Sequence, residues 1–449
     1  MEQRRIINIF HVPTILGKIM DHLDGYTCTR LLSAFGDDRV FLKIFYELFC
    51  ENKRLSIIFS SLEFDGGFED IDDFRHYFRV DEDDMFLVNP SATKLKNFAF
   101  CKNIVGHIEK RWVCRKFRRY CQSNKYVTRM KIHFPNSRIC LELSLRDPIF
   151  NNKPCLEVIE LSRCKVSDEL EAEDCKPREL IFEDRDFDKT RILLNPDSVK
   201  KISLLNCDFK DGFGYDFGRF KNLRQLKINM SQMSDLRVVM KIHDLTRLRG
   251  LENLISLDLN DYLDDQGIRH FSFLRGLTNL RKLDIGKVST FSNLDPLSTL
   301  VNLNTLSISF GGSLYNEGVQ DYSFLKRLQN LQSLTLNHVC PQANLKPFGS
   351  LFNLNYLNIS FSCRFNQNNS NLSFLKKLKN LKVLKLENYI TKYWYLPPSL
   401  NKLTLHWVRF DTIKMSNSPK IKEIFIDNVI GNLRPLLKNN RIAHVVIEK

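Results

Sequence analysis

The sequence predicts an α/β solenoid: a curved parallel sheet on the concave face, helices and loops on the convex face, and a small α-helical domain in front. Three observations carry this expectation. A nine-residue phrase, Leu-x-Asn-Leu-x-x-Leu-x-Leu/Ile, recurs through the second half of the chain. A longer period is superposed on it, and the first fifty residues follow a different, helical pattern. A chain of 449 residues, 43% hydrophobic and with 34 Phe, has ample material for such a core.

The phrase reads Leu251 to Leu259, Leu277 to Ile285, Leu300 to Ile308, Leu328 to Leu336, Leu351 to Ile359 and Leu378 to Leu386. Degenerate copies follow at Leu400/Leu403/Leu405 and Ile421/Ile424/Ile426, and weaker ones precede at Leu223, Val199, Pro177, Leu156 and Val127. The last two apolar positions alternate with polar ones, which makes a short strand with one buried face. One unit cannot bury its own Leu row and needs a neighbour on each side. This pattern is identified as the leucine-rich repeat. About 11–12 irregular copies are expected over 127–449, with 51–126 as a charged linker or cap. Cys164 and Cys207, three residues past the last apolar strand position, resemble the cysteine-containing subclass of these repeats; the Asn ladder of secreted repeats is not found at that position.

The second period lies in Ser-Phe-Leu-x-x-Leu at Ser272, Ser323 and Ser373, alternating with Pro296 and Pro347 starts, so the repeats come in pairs about 50 residues long. Each Phe-Leu-x-x-Leu is expected to form a helical turn on the convex side. Met233–Arg249 is a charged helical excursion by its spacing.

In front, Pro13 suits a first helical turn, and Ile15, Leu16, Ile19 and Leu23 fall on one apolar face. Asp24-Gly25 ends that helix, Thr27 can cap a second, and Val40–Phe49 makes a third. Three helices opening hydrophobic-Pro-x-x-Ile/Leu and followed by leucine-rich repeats resemble an F-box, although Thr14 stands where that family carries an acidic residue. The resemblance implies docking on Skp1 of a cullin-based ubiquitin ligase through Val12, Pro13, Ile15, Leu16, Ile19 and Leu23. The alternative is a helical cap that shields the first repeat.

Charge is segregated between the two regions: Glu63–Asp84 is acidic and Lys102–Lys131 basic. Lys110, Arg111, Arg115, Lys116, Arg118 and Arg119 interleave with Trp112, Phe117 and Tyr120, a pattern that suits nucleic acid or a nuclear address. An amphipathic helix burying its aromatics explains the same letters. The net charge of +15 favours acidic partners in general.

No nucleotide-binding loop, zinc-protease or nucleophile-elbow motif is present, and no CxxC pair occurs among the twelve Cys. The chain is therefore expected to be no enzyme, with no cofactor and no metal. Lacking an apolar leader or a run of ~18 apolar residues, it is expected inside a cell, in cytoplasm or nucleus, without a membrane partner. A protein target is expected on the concave strands, against Asn229, Asp258, Asn260, Asp284, Asn337, Tyr356, Asn358, His406, Trp407 and Phe425, since aromatic and polar side chains of this kind anchor interfaces. Tyr393-Trp394-Tyr395 reads as an exposed aromatic loop at the same end.

Overall fold

The computed structural model describes residues 55–60, 85–88, 101–108, 111–133, 150, 153–163, 175–183, 196–207, 217–229, 245–260, 268–311, 319–362, 372–415, 421–432, 434 and 444–448. The F-box-like helices of residues 1–50, with Val12, Pro13, Ile15, Leu16, Ile19 and Leu23, lie outside the described residues, as do Lys110 and Cys164. The chain divides into two compact units, Met1–Val199 and Lys200–Lys449.

The first unit is a parallel ladder of β1 (Leu55–Phe59), β2 (Met85–Val88), β3 (Asn103–His107), β4 (Arg129–His133), β5 (Val158–Ser162) and β6 (Glu179–Glu183). Strand β1 pairs with both β2 and β3, and each later strand pairs with the one before it. Among the described residues the ladder is present from Leu55 on, upstream of Val127, where the sequence pattern set its start; β1 to β3 lie in the stretch expected to be linker or cap. Between β3 and β4 runs α1 (Arg111–Ser123). It buries Val113, Cys114, Phe117, Tyr120 and Cys121, and the Phe117 ring lies flat over Gly106 of β3, where a Cβ would come within 2.8 Å of it. Only glycine permits that approach.

The second unit continues the rung pattern with β7 (Lys201–Leu205), β8 (Gln225–Asn229), β9 (Ser256–Leu259), β11 (Lys282–Asn293), β12 (Thr305–Phe310), β13 (Ser333–Val339), β14 (Tyr356–Phe361), β15 (Val383–Leu396), β16 (Lys402–Met415), β17 (Glu423–Asp427) and β18 (His444–Glu448). Each pairs in parallel with the next, with register shifts after Ile285 of β11 and Leu336 of β13. The short β10 (Ile268–His270) pairs only with the far half of β11. Strand β18 is a rung that the Leu pattern did not mark. Leu257, Leu283, Leu306, Leu334, Leu357, Leu384 and Leu403 are fully buried in one column, each contributing about 1.5–3 kcal/mol by leaving water. With this Leu column, the unit is a leucine-rich-repeat solenoid.

Behind the strands, the Phe-Leu-x-x-Leu and Pro-led segments form 3-10 turns: Ser272–Gly276, Asp295–Thr299, Ser323–Arg327, Lys346–Ser350 and Leu372–Lys377. Pro296 and Pro347 sit in the first turn, where a missing N–H costs nothing. The Asn of the repeated phrase has a role that its spacing did not reveal. Asn253, Asn279, Asn302, Asn330, Asn353 and Asn380 each donate Nδ2–H to a backbone carbonyl of the preceding rung at 2.8–3.0 Å. An Asn ladder therefore exists, displaced from the position where secreted repeats carry it.

The alternation of the rungs is also visible in the backbone of the strands. In the rungs that follow a Phe-Leu-x-x-Leu turn, an extra residue, Lys287, His338 or Asn388, takes a left-handed conformation with φ between 45 and 58°, as in a bulge. It is followed by buried Val288, Val339 and Tyr389. The rungs that follow a Pro-led turn omit that residue, and Phe310 and Phe361 pair opposite Val288 and Val339.

Candidate recognition face

Strand alternation puts every second side chain of the second unit on the polar face, and the register aligns them in three rows. The row nearest the strand starts runs Lys282, Thr305, Ser333, Tyr356, Val383, Lys402, Glu423. The middle row runs Lys227, Asp258, Asp284, Ser307, Thr335, Asn358, Lys385, Thr404, Phe425. The third aligns Ser360, Glu387, His406, Asp427 and Glu448. Over β12 to β14 this face is uncharged, offering hydroxyl and amide groups that donate and accept.

Contacts along the rows are side to side. Lys227 pairs with Asp258 at 3.5 Å, and Asp258 Oδ1 accepts from the Asn260 backbone N–H. Asn337 donates to Ser309 Oγ at 2.9 Å. Lys385 Nζ lies 5.8 Å from the Tyr356 ring centroid, and Lys402 pairs with Glu423 at 2.6 Å. The densest cluster is at the C-terminal end: His406 Nε2 lies 2.6 Å from Asp427 Oδ2, and its Nδ1 lies 3.4 Å from Glu387 Oε1. His406 thus stands between two carboxylates on the neighbouring rungs. The three groups stand in line across adjacent rungs; among the described residues no group of three His, Cys, Asp or Glu converges to hold a metal.

Asn229, Asp258, Asn260, Asp284, Asn337, Tyr356, Asn358, His406 and Phe425 all stand on these rungs, half-exposed. Trp407 does not belong with them. It occupies a left-handed bulge position within β16, with φ 53°, half-buried and edge-on to His406 at 6.1 Å. Tyr393-Trp394-Tyr395 is not a loop: these residues continue β15 and pair with Thr412, Ile413 and Lys414 of β16, and Lys376 Nζ stands 3.5 Å over the Tyr395 ring.

In the first unit the middle of the same face is closed. Lys131 and Glu160 are paired at 2.9 Å with side chains only 10% and 5% exposed. His107 stacks on His133 at 4.8 Å, and His133 Nδ1 contacts Ser162 Oγ at 2.9 Å. Ser162 is fully buried, while His133 is half-exposed, as are Arg129 and Glu179 in the row nearest the strand starts. On the outer side, α1 exposes Trp112, Arg115 and Arg119 and half-buries Lys116 and Arg118. Burial pulls the Lys116 ammonium below its ordinary range. The amphipathic reading of 110–120 thus describes the helix, whose first residue is Arg111.

No protein-family model matches the chain, and no curated protein matches it by sequence. Solved structures do resemble it. A leucine-rich-repeat protein of Leptospira interrogans shares 16% identity over 84% of this chain and 98% of its own, with a TM-score of 0.47. An internalin of Listeria monocytogenes shares 16% over 74% and 89%, with a TM-score of 0.43. TLR13 in complex with the RNA ssRNA13 shares 17% over 68% and 42%, with a TM-score of 0.41. These likenesses concern the fold alone. The rungs, the Leu column and the Asn ladder define a leucine-rich-repeat protein.

Proposed function

We propose that the chain is a non-catalytic protein-binding adaptor that holds a polypeptide target on the polar face of the second unit. The observation that carries this reading is that face itself: three rows of accessible side chains in strict register, neutral and hydroxylic over β12 to β14, with charge, His406 and Phe425 at the C-terminal end. Such a surface meets a peptide backbone with hydrogen-bonding groups and leaves specificity to a few aromatic and charged anchors.

The front segment carries the finer part of the proposal. The helical spacing from Val12 to Leu23 supports recruitment of a Skp1-type subunit, which makes the chain the substrate-recognition arm of a cullin-type ubiquitin ligase. It then works by raising the target's local concentration near the enzyme. A pull-down with purified Skp1 tests this: wild type binds and the Pro13→Ala/Leu16→Ala double variant does not. No binding by wild type, or equal binding by the variant, leaves a stand-alone scaffold whose first helices cap the repeats. In that case deleting residues 1–50 lowers the melting temperature of the repeats.

A further inference from the structure

The outer turns of the second unit carry a charge pattern that the recognition face does not use. Between Asp321 and Glu387 the sequence contains no Asp or Glu, yet it holds nine Lys or Arg. The turns of this stretch are built alike. Leu328 N–H donates to Leu325 O at 3.0 Å, Leu351 N–H to Phe348 O at 3.1 Å, and Leu378 N–H to Leu375 O at 3.2 Å. Equivalent residues therefore stand in columns, one rung (~4.8 Å) apart at the sheet. Lys326 and Arg327 occupy one turn, Gly349 and Ser350 the next, and Lys376 and Lys377 the third; the neighbouring column is Gln329, Phe352 and Lys379.

All five cations are exposed. Among the described residues none of them pairs with a carboxylate. The acid nearest in sequence, Asp321, accepts from the Ser323 backbone N–H and hydroxyl at 2.9 and 3.0 Å. In the midst of these cations Phe352 is 55% exposed, and Val301, two rungs earlier in the same column, is 47% exposed. Covering these two apolar side chains with an apolar phase would be favourable in proportion to the area removed from water.

We propose that this ridge docks peripherally on an anionic lipid surface, with Phe352 and Val301 entering the headgroup–acyl boundary and the Lys and Arg side chains meeting lipid phosphates and carboxylates. Single-stranded nucleic acid is the other polyanion to consider. Its bases need a succession of aromatic platforms, whereas Phe352 is the exposed ring of this ridge, the Tyr395 ring is covered by the Lys376 ammonium, and aliphatic Val301 gives a base nothing to stack on. Four of the five cations are Lys, point charges suited to a diffuse, laterally mobile anion field. A spanning helix is not required for such a contact.

The experiment is co-sedimentation of the full chain with vesicles of phosphatidylcholine, with and without phosphatidylserine. Binding is expected only with phosphatidylserine, weakening as salt rises. Neutralising Lys326, Arg327, Lys376 and Lys377 to Gln lowers the partition coefficient about 100-fold or more. Neutralising Arg115, Arg119, Lys200 and Lys221, also exposed, leaves it almost unchanged. In a Phe352→Trp variant the new indole's emission is quenched by lipids brominated in the acyl chain. Equal loss from both neutralised sets reduces the effect to net charge and overturns the proposal. So does an unquenched indole, or binding to poly(U) RNA with none to vesicles. The recognition face and the front helices are untouched in every arm, so these outcomes leave the adaptor reading independent.

Discussion

The two units share one backbone plan and use its polar face in opposite ways. In both, inward side chains such as Ile159 and Leu334 are buried in the rung core. In the first unit the central outward side chains are buried too, Lys131 against Glu160, with His107 and Ser162 beside them. In the second it carries half-exposed hydroxyls, amides and charges. The inward column specifies the fold, and only where the outward row stays open can the fold recognise anything. Two sets of substitutions sharpen that contrast.

Inward truncation should not distinguish the units. Leu334→Ala and Ile159→Ala each cost about 2–5 kcal/mol in chemical denaturation, since both leave a cavity in a closed row; a cost below 1 kcal/mol in either unit contradicts the shared core. Outward truncation should distinguish them sharply. Glu160→Ala removes the buried carboxylate that Lys131 and Arg129 share and costs about 3–5 kcal/mol. Glu423→Ala breaks the Lys402 pair, whose side chains are 46% and 50% exposed, and costs below about 1 kcal/mol. Equal costs would mean that the first unit's face is open after all.

Smaller effects test how each unit is finished. In the first, Gly106→Ala forces Phe117 off the sheet and costs about 1–3 kcal/mol, read as a lowered melting temperature with loss of α1 protection in hydrogen exchange. In the second, the hydroxyl of fully buried Tyr322 has no hydrogen-bond partner, and burial pushes its ionisation well above the ordinary range. Its ring packs at 5.5 Å from Phe348 and 6.0 Å from Phe310, and the equivalent position one pair earlier is Phe271. Tyr322→Phe therefore raises stability by up to about 1 kcal/mol, because it removes an unsatisfied polar group without changing shape.

How far the sequence could be read follows the same division. The six full copies of the phrase from Leu251 to Leu386 are legible because each rung needs Leu at the same three places. Strands β1 to β3 read Leu-Ser-Ile-Ile-Phe, Met-Phe-Leu-Val and Asn-Ile-Val-Gly-His; mostly β-branched and aromatic residues fill the same rung without the Leu-x-Asn signature, so the pattern search passes over them. The closed face of the first unit was equally hidden: alternation marks Lys131 and Glu160 as outward, and outward ordinarily means exposed. Asn206, His338, Asn388 and Asn428 are types that a left-handed corner favours, whereas Lys287 and Trp407 carry no such signal in the sequence. That is why Trp407, beside His406 in sequence, was placed on a face it does not share.

The most direct test of the open-versus-closed distinction is lysine acetylation of the native chain, read site by site by mass spectrometry. Lys227, Lys385 and Lys402, on the polar face of the second unit, should be modified early, while Lys131, at the corresponding outward position of the first, stays unmodified until the protein unfolds. Modification of Lys131 at the same rate as the other three would contradict the account.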